Sequence, residues 1–334
     1  MISNDTLIIE GLGTQILYQI AQSVTSLQVS YVVDGASQVT VQLADEKMEM
    51  WNNNYFQLNQ IVLFRGERYM IASHELSKGE GEFVNIKLEL RTEAVQKMKI
   101  DRSPEAYKST TGYEFAQKVA TKFGLGFIGQ EPSGIKTTTI KVKKDKNKES
   151  VYDVLIRSAQ DLQYLVFVAE AYNEATKVTV PTLYFGSPHW LLGRWGIERT
   201  EEFTFKTATG KIEKRPLLYI PLKYPNDEKL NFFLLDLPQM RRSMDSPKES
   251  EGRASLWAGN NHENAIGSAY NIRAGMTVMV YGIKGFEQAY LITSVEYEYS
   301  EPEPIQIAFA TIDKMSPEDK KKIDSKVSEV TVIG

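Results

Sequence analysis

The chain has 334 residues, enough for two domains that each bury a core without help from disulfides. Its 39 Lys and Arg residues face 43 Asp and Glu residues, and the net charge of −4 argues against a surface that wraps a nucleic-acid backbone. Cysteine is absent, which excludes thiolate catalysis, cysteine zinc sites and disulfide frameworks. No apolar run is long enough to span a bilayer and no basic flank opens the sequence, so synthesis in a cytoplasm is expected.

The first part of the chain alternates apolar and polar residues, a pattern that places every second side chain on a core face. Leu27 to Tyr31 and Val39 to Leu43 alternate on either side of the turn signal Asp34-Gly35, which predicts a hairpin. Two more short strands flank Arg65-Gly66-Glu67-Arg68, and Val84 to Leu90 alternate further on. Five or six antiparallel strands before about residue 92 indicate a small barrel or sandwich.

Helical spacing replaces alternation near residue 112. Apolar residues recur every three or four positions up to Phe123, and Gly124 offers a left-handed stop, so a helix is predicted over 112–123. A second helix is predicted after Ser150, because Asp153 occupies its capping-box position. Three short strands are expected beside these helices, at Leu125 to Ile128, Tyr164 to Val168 and Leu183 to Phe185. Together these elements predict a small α+β insertion.

Strand patterns return after the insertion. The predicted strands are Phe203 to Phe205, Leu217 to Ile220, Asn231 to Leu237, Thr277 to Tyr281, Tyr290 to Tyr299 and Ile305 to Ala310. Residues 240–252 contain almost no apolar side chain and are predicted to be an exposed loop. Ser316-Pro317-Glu318-Asp319 predicts the start of a short charged helix. Val330, Val332 and Ile333 then form a candidate interaction strand, since an unpaired strand can extend another sheet.

The histidines and glycine motifs do not form a catalytic, cofactor or metal site. His74, His189 and His262 are isolated, and none has the spacing of a metal-ligand pair. Gly124 to Gly129 matches the G-x-G-x-x-G fingerprint, but here a helix precedes and a strand follows, which reverses the order that dinucleotide binding needs. The basic run Lys141 to Lys148 is interpreted as a solvated loop rather than a phosphate site.

Acidic pairs could in principle serve a glycosidase, which uses two carboxylates across a cleft. Glu201 and Glu202 are adjacent, so in a strand their side chains point to opposite faces. Glu296 and Glu298 fit the solvent-facing side of a strand that buries Val295 and Tyr297. We therefore predict that the protein is not an enzyme and binds no cofactor or metal.

Three stretches in a fixed order carry a family resemblance. Residues 113–125 cover most of the first predicted helix and close with Ala-Thr-Lys-Phe-Gly-Leu, residues 149–159 cover the start of the predicted capped helix, and residues 272–282 are followed by a predicted strand at 289–299. In order and spacing they resemble the late control D or baseplate hub family of contractile phage tails and related injection systems. The resemblance covers roughly residues 20–312 and departs from the family pattern at 225–265.

The predicted fold class is β-rich α+β, with two small antiparallel β-barrel domains, an inserted α+β region and a C-terminal helical tail. The predicted boundaries are 1–95 for the first barrel, 96–195 for the insertion, 196–315 for the second barrel with its loop 240–252, and 316–334 for the charged helix and tail strand.

The resemblance implies a homotrimeric ring that joins the tail tube to the central spike, around a channel through which DNA or cargo passes without specific binding. It implies a place in the virion tail baseplate after assembly in the host cytoplasm. Phage, tailocin and secretion-type particles all fit. A cell-wall hydrolase or glycan-binding tail component, and a receptor-binding tail component, are the alternative functions.

Overall fold

The structure is a computed structural model. It describes residues 7–33, 35–79, 81–104, 110–132, 139–140, 149–173, 178–191, 202–206, 212–216, 221–223, 238–242, 250–256, 265–266, 272–281, 284–286, 289–298 and 304–311. The predicted strands at 217–220 and 231–237, the basic run 141–148 and the predicted tail, with Val330, Val332 and Ile333, lie outside the described residues.

The N-terminal β region, residues 7–92, contains six strands and two helices among its described residues. They are β1 (Leu7–Ile9), α1 (Thr14–Ser23), β2 (Val24–Val32), β3 (Gln38–Glu46), α2 (Glu49–Asn52), β4 (Ile61–Phe64), β5 (Glu67–Lys78) and β6 (Phe83–Thr92). Alternation sets the faces as predicted: Val41 is fully buried, whereas its neighbour Gln42 is exposed. The predicted hairpin is β2 with β3.

The insertion, residues 93–191, contains α3 (Glu93–Ile100), α4 (Gly112–Lys122), β7 (Gly126–Gly129), α5 (Val151–Asp161), β8 (Leu165–Asn173), β9 (Val178–Gly186) and α6 (Pro188–Leu191). Ser150 caps α5 in a capping box with Asp153, as predicted. Helix α4 ends at Lys122 and is followed by Gly124, whose φ of 69° is left-handed, and the Leu125 N–H donates to Ala120 O at 2.9 Å. Strand β9 pairs with β7 on one edge and β8 on the other.

The C-terminal β region, residues 202–311, contains β10 (Glu202–Lys206), β11 (Ile212–Pro216), β12 (Pro221–Lys223), β13 (Gln239–Arg242), β14 (Ser250–Leu256), β15 (Ala265–Ile266), β16 (Thr277–Tyr281), β17 (Ala289–Glu298) and β18 (Ile305–Ala310). The range 240–252 is therefore not one loop, because both of its ends are paired strand. Ser250 and Gly252 are buried there, and the ring of Phe309 lies where a side chain at Gly252 would stand.

The two β regions form one curled sheet of 12 strands. Its main path runs β1-β4-β5-β6-β3-β2-β17-β18-β14-β13, with β16 also on β17 and β12 parallel to β16. Strands β10, β11 and β15 form a separate small sheet. The β-rich α+β class is confirmed. The division into two barrels stays a prediction, and the two regions are joined in one sheet where β2 pairs with β17.

Two cores lie on opposite faces of the β7-β9-β8 sheet. Phe167 and Tyr184 join the main core between the β regions. Val166, Leu183 and Phe185 face a second core beneath α3, α4 and α5. The insertion is therefore packed against the main sheet rather than tethered to it.

Candidate functional site at the seam of the sheet

Strand β17 serves both β regions. One of its edges pairs with β18, and the other is divided between β16 at its start and β2 at its end. The Val33 N–H donates to Thr293 O at 3.2 Å where one neighbour gives way to the other. We call this line of contact between β2 and β17 the seam.

A buried ion pair crosses from one β region to the other beside the seam. Arg273 Nη2 lies 2.5 Å from Glu67 Oε1, and the two side chains are only 13% and 22% exposed. The Tyr69 hydroxyl donates to Glu67 Oε2 at 2.9 Å. Both carboxylate oxygens therefore have partners, as a buried charge requires.

Tight turns position both charged residues. Arg65 and Gly66 have φ of 51° and 82°, the left-handed conformation of two-residue hairpin turns, so Glu67 opens β5. The Met276 N–H donates to Arg273 O at 3.3 Å, and Gly275 has a φ of 94°, which closes a turn before β16.

Tyrosines surround the guanidinium. Its carbon lies 4.3 Å from the centre of the Tyr31 ring, a cation–π distance, and the Tyr31 ring is 6.4 Å from that of Tyr297. Tyr31 belongs to β2 and Tyr297 to β17, so the rings pack across the seam. The cluster contains three tyrosines, Tyr31, Tyr69 and Tyr297, and all three are buried.

The electrostatics keep the pair charged and the tyrosines neutral. Burial raises the pKa of Tyr31, Tyr69 and Tyr297. Burial alone would raise the pKa of Glu67, but the charge of Arg273 and the hydrogen bonds hold it below its usual range. Burial alone would lower the pKa of Arg273, but the negative charge of Glu67 opposes that effect, and the pKa is raised.

The cluster forms one wall of a cleft of about 610 Å³. The cleft lies where all three parts of the chain meet: its other walls include the β4–β5 turn, the start of α3, the turn after α4 and strand β8. Apolar lining comes from Phe123, Leu125 and Phe167. A cavity of this size could hold a small ligand or a short peptide side chain.

Both acids of the cleft, Glu67 and Glu93, are paired with cations. Glu93 accepts from Arg68 Nε and from Lys97 Nζ, each at 2.6 Å, and Arg68 also reaches Glu10 at 2.8 Å. No histidine or aspartate lines the cleft among the described residues. Nothing in it resembles an activated nucleophile with its base.

The residues that were considered as catalytic or cofactor candidates take ordinary structural positions where the structure describes them. Glu296 is exposed while Val295 and Tyr297 are buried, as predicted. His74 lies against Trp51 and its Nδ1 is 3.0 Å from Phe56 O, whereas His262 lies outside the described residues. The G-x-G-x-x-G segment follows α4 and opens β7, the order predicted.

No cluster of three acidic or histidine side chains in the described part of the chain could hold a metal ion. In the same residues, no helix is long and apolar enough to cross a bilayer.

Sequence reasoning missed the ion pair. Glu67 and Arg273 are 206 positions apart, and neither lies in a motif that suggests a partner. The available signals were indirect: Glu67 belongs to the predicted turn, and Arg273 to the Ile272-Arg273-Ala274-Gly275 stretch that carries the family resemblance.

Comparisons with solved structures find the fold of this chain in a component of a type VI secretion system. The E. coli c3393 protein, a component of the type VI secretion system that is structurally similar to the T4 bacteriophage tail proteins gp27 and gp5, superposes with a TM-score of 0.56 at 13% identity, over 92% of this chain and 76% of that one. The prophage MuSo2 43 kDa tail protein from Shewanella oneidensis gives 0.48 at 12% identity, over 91% and 95%. A chain of the Francisella PdpA-VgrG complex gives 0.44 at 8% identity, over 86% and 53%.

No protein-family description and no curated protein matches the chain. The resemblance to phage tail and baseplate proteins is confirmed at the level of the fold through the type VI component, which is itself similar to T4 bacteriophage tail proteins.

Proposed function

We propose that this protein is a structural baseplate hub, three copies of which form a ring that connects the tail tube to the central spike of a contractile tail. The observation that carries the proposal is the fold shared with a type VI component that is itself similar to T4 tail proteins, over 92% of the chain. The role is structural rather than enzymatic, in keeping with a cleft whose two acids, Glu67 and Glu93, are both held in ion pairs.

A ring of three follows from symmetry. A three-fold spike and a six-fold tube cannot share one type of interface, whereas three copies that each present two similar β domains offer six similar surfaces. We assign the two barrels to residues 1–95 and 196–315, on either side of the insertion 96–195. The similar β domains within these barrels cover roughly residues 20–95 and 200–312. The channel of such a ring, in a chain of net charge −4, would let DNA or cargo pass without sticking.

The tail 316–334 is proposed to contact a neighbouring tail component through Val330, Val332 and Ile333. Truncation after Met315 should weaken binding to the spike or the tube in a pull-down with purified proteins, while the ring stays trimeric. A truncated chain that binds both partners like the full chain would remove this part of the proposal.

Light scattering tests the ring. The isolated protein, or its complex with the spike if the free chain is monomeric, should contain three copies and bury well over about 2,000 Å². A stable monomer or dimer in the spike-bound state would overturn the proposal. Loss of turbidity from a cell-wall suspension, abolished by a carboxylate substitution, would instead favour the hydrolase alternative.

A further inference from the structure

Ile272–Met276 is a five-residue turn that contacts all three parts of the chain; we call it the joint. It is almost wholly inside the protein, since Ile272, Ala274 and Met276 are each buried. Its buried side chains cannot move without moving their neighbours, because protein interiors are close-packed.

The joint is held to the C-terminal β region by its backbone. The Gly275 N–H donates to Ile292 O at 2.8 Å, and the Ile292 N–H donates to Met276 O at 2.8 Å. Ile292 lies in β17, one residue before the seam contact at Thr293. The position of the joint and that of the shared strand are therefore linked directly.

The joint reaches the N-terminal β region by one side chain. Arg273 extends to Glu67 at 2.5 Å and covers the ring of Tyr31 at 4.3 Å. Glu67 lies in β5 and Tyr31 in β2, so the joint also contacts the strands on the N-terminal side of the seam.

Its third contact is with the insertion. A side chain at Gly275 would stand 2.5 Å from Cζ of Phe167, so the ring of Phe167 packs on the bare backbone of the joint. Phe167 in turn stacks on Tyr184, with ring centres 5.0 Å apart and planes 5° apart. The ring is thus fixed to both β8 and β9, and Gly275 is two positions from Arg273.

We propose that the joint couples the orientation of the insertion to the seam between the two β regions, so that displacing Phe167 loosens the Arg273 contacts and the reverse. The coupling is a property of this chain alone and does not depend on the hub role. It would allow a partner bound to the insertion to change how the two β regions sit together.

Hydrogen exchange on the full-length protein tests the coupling. Phe167→Leu should speed exchange of the seam amides in 28–32 and 294–298 by about tenfold, through easier local opening. Amides of β3 at 39–43 should be unchanged. Val166→Ala is the matched control, because Val166 is the buried neighbour of Phe167 on the same strand but faces the second core.

The reverse experiment starts at the ion pair. Glu67→Gln should speed exchange in 165–168 of the insertion, since coupling between two sites is reciprocal. Glu93→Gln, which alters the other acid of the cleft and does not touch the joint, should leave 165–168 unchanged.

Amides 154–159 of α5 report whether the insertion itself stays folded. If Phe167→Leu exposes them, the double variant with Glu67→Gln decides instead: coupled sites predict a further change at the seam of less than about threefold, because the link is already broken. The proposal would be overturned if Phe167→Leu left exchange of the seam amides unchanged and Glu67→Gln left exchange in 165–168 unchanged. It would also be overturned if the two substitutions increased exchange at the seam independently in the double variant.

Discussion

Replacing Glu67 by glutamine removes one charge at the seam and little else. The side chains have the same shape, and the amide oxygen can still accept the hydrogen bond from Tyr69. Arg273 is then left as a cation that is 13% exposed, without a carboxylate 2.5 Å away. The variant therefore measures the loss of the Glu67 charge rather than the cost of a cavity.

The size of the effect follows from the surroundings. Removing one partner of a buried ion pair costs about 3–5 kcal/mol. Two features place Glu67→Gln at the low end: Glu67 is 22% exposed, and the Tyr31 ring stays 4.3 Å from the guanidinium and still stabilises it. We expect a loss of about 3 kcal/mol from the first unfolding transition.

Urea denaturation, followed by intrinsic fluorescence, measures this loss. Glu93→Gln is the control, because Glu93 also binds cations at 2.6 Å but its partners Arg68 and Lys97 are 49% and 47% exposed. Exposed pairs contribute about 1 kcal/mol or less each. Equal losses in the two variants would refute the claim that burial, rather than distance, sets the strength of the seam pair.

The same pair predicts a pH effect. The pKa of Glu67 is lowered in the folded protein, so its contribution is complete above the unfolded value of about 4.3 and is lost as the pH falls through the lower folded pKa. The stability gap between the native chain and Glu67→Gln should therefore narrow in urea melts as the pH is lowered below about 4.3. Val41→Asp should cost several kcal/mol, because Val41 is fully buried between Leu27 and Leu88, whereas Gln42→Asp should change thermal stability by under about 0.5 kcal/mol; similar losses would refute the strand register. Ser150→Ala should cost about 1 kcal/mol in the same melts by removing the cap of α5, and Ser150→Thr, which keeps the hydroxyl that donates to Asp153, should restore most of it; a loss that threonine does not restore would point to packing instead.

Local patterns predicted the local structure. Alternation located Val41 inside and Gln42 outside, and the Ser150–Asp153 spacing located the start of α5. Helices α1 and α3 had no such mark: the N-cap of α1 is Gly13, which has no side chain to signal it, and α3 follows β6 at Thr92 without a connecting loop.

The range 240–252 shows how composition misleads at a sheet edge. Strand β13 pairs only with β14 among the described residues, so its side chains at Gln239, Arg241 and Arg242 are exposed and polar. Such an edge has the composition of a loop although its backbone is paired. Gly252 is small because Phe309 covers it, a reason that lies 57 positions away in the sequence.

The seam was out of reach for a related reason. Contacts between β2 and β17, and between Glu67 and Arg273, join residues more than 200 positions apart, and neither end carries a local signal of the other. Two β regions separated by an insertion look like two domains in sequence, because periodicity reports which side chains are buried but not which strand lies beside them.

One shared strand changes what a hub of this design would need in order to assemble. Two barrels on a flexible linker would have to be ordered when the ring forms, and that lost freedom would weaken every interface. In this chain β17 pairs with both β regions, and the buried Arg273–Glu67 contact fixes the same junction with a side chain from each. The angle between two tube-facing surfaces would then be set within each copy before assembly. In the proposed ring, such copies would have little conformational freedom left to lose, which would favour a preformed adaptor over one that the tube must shape.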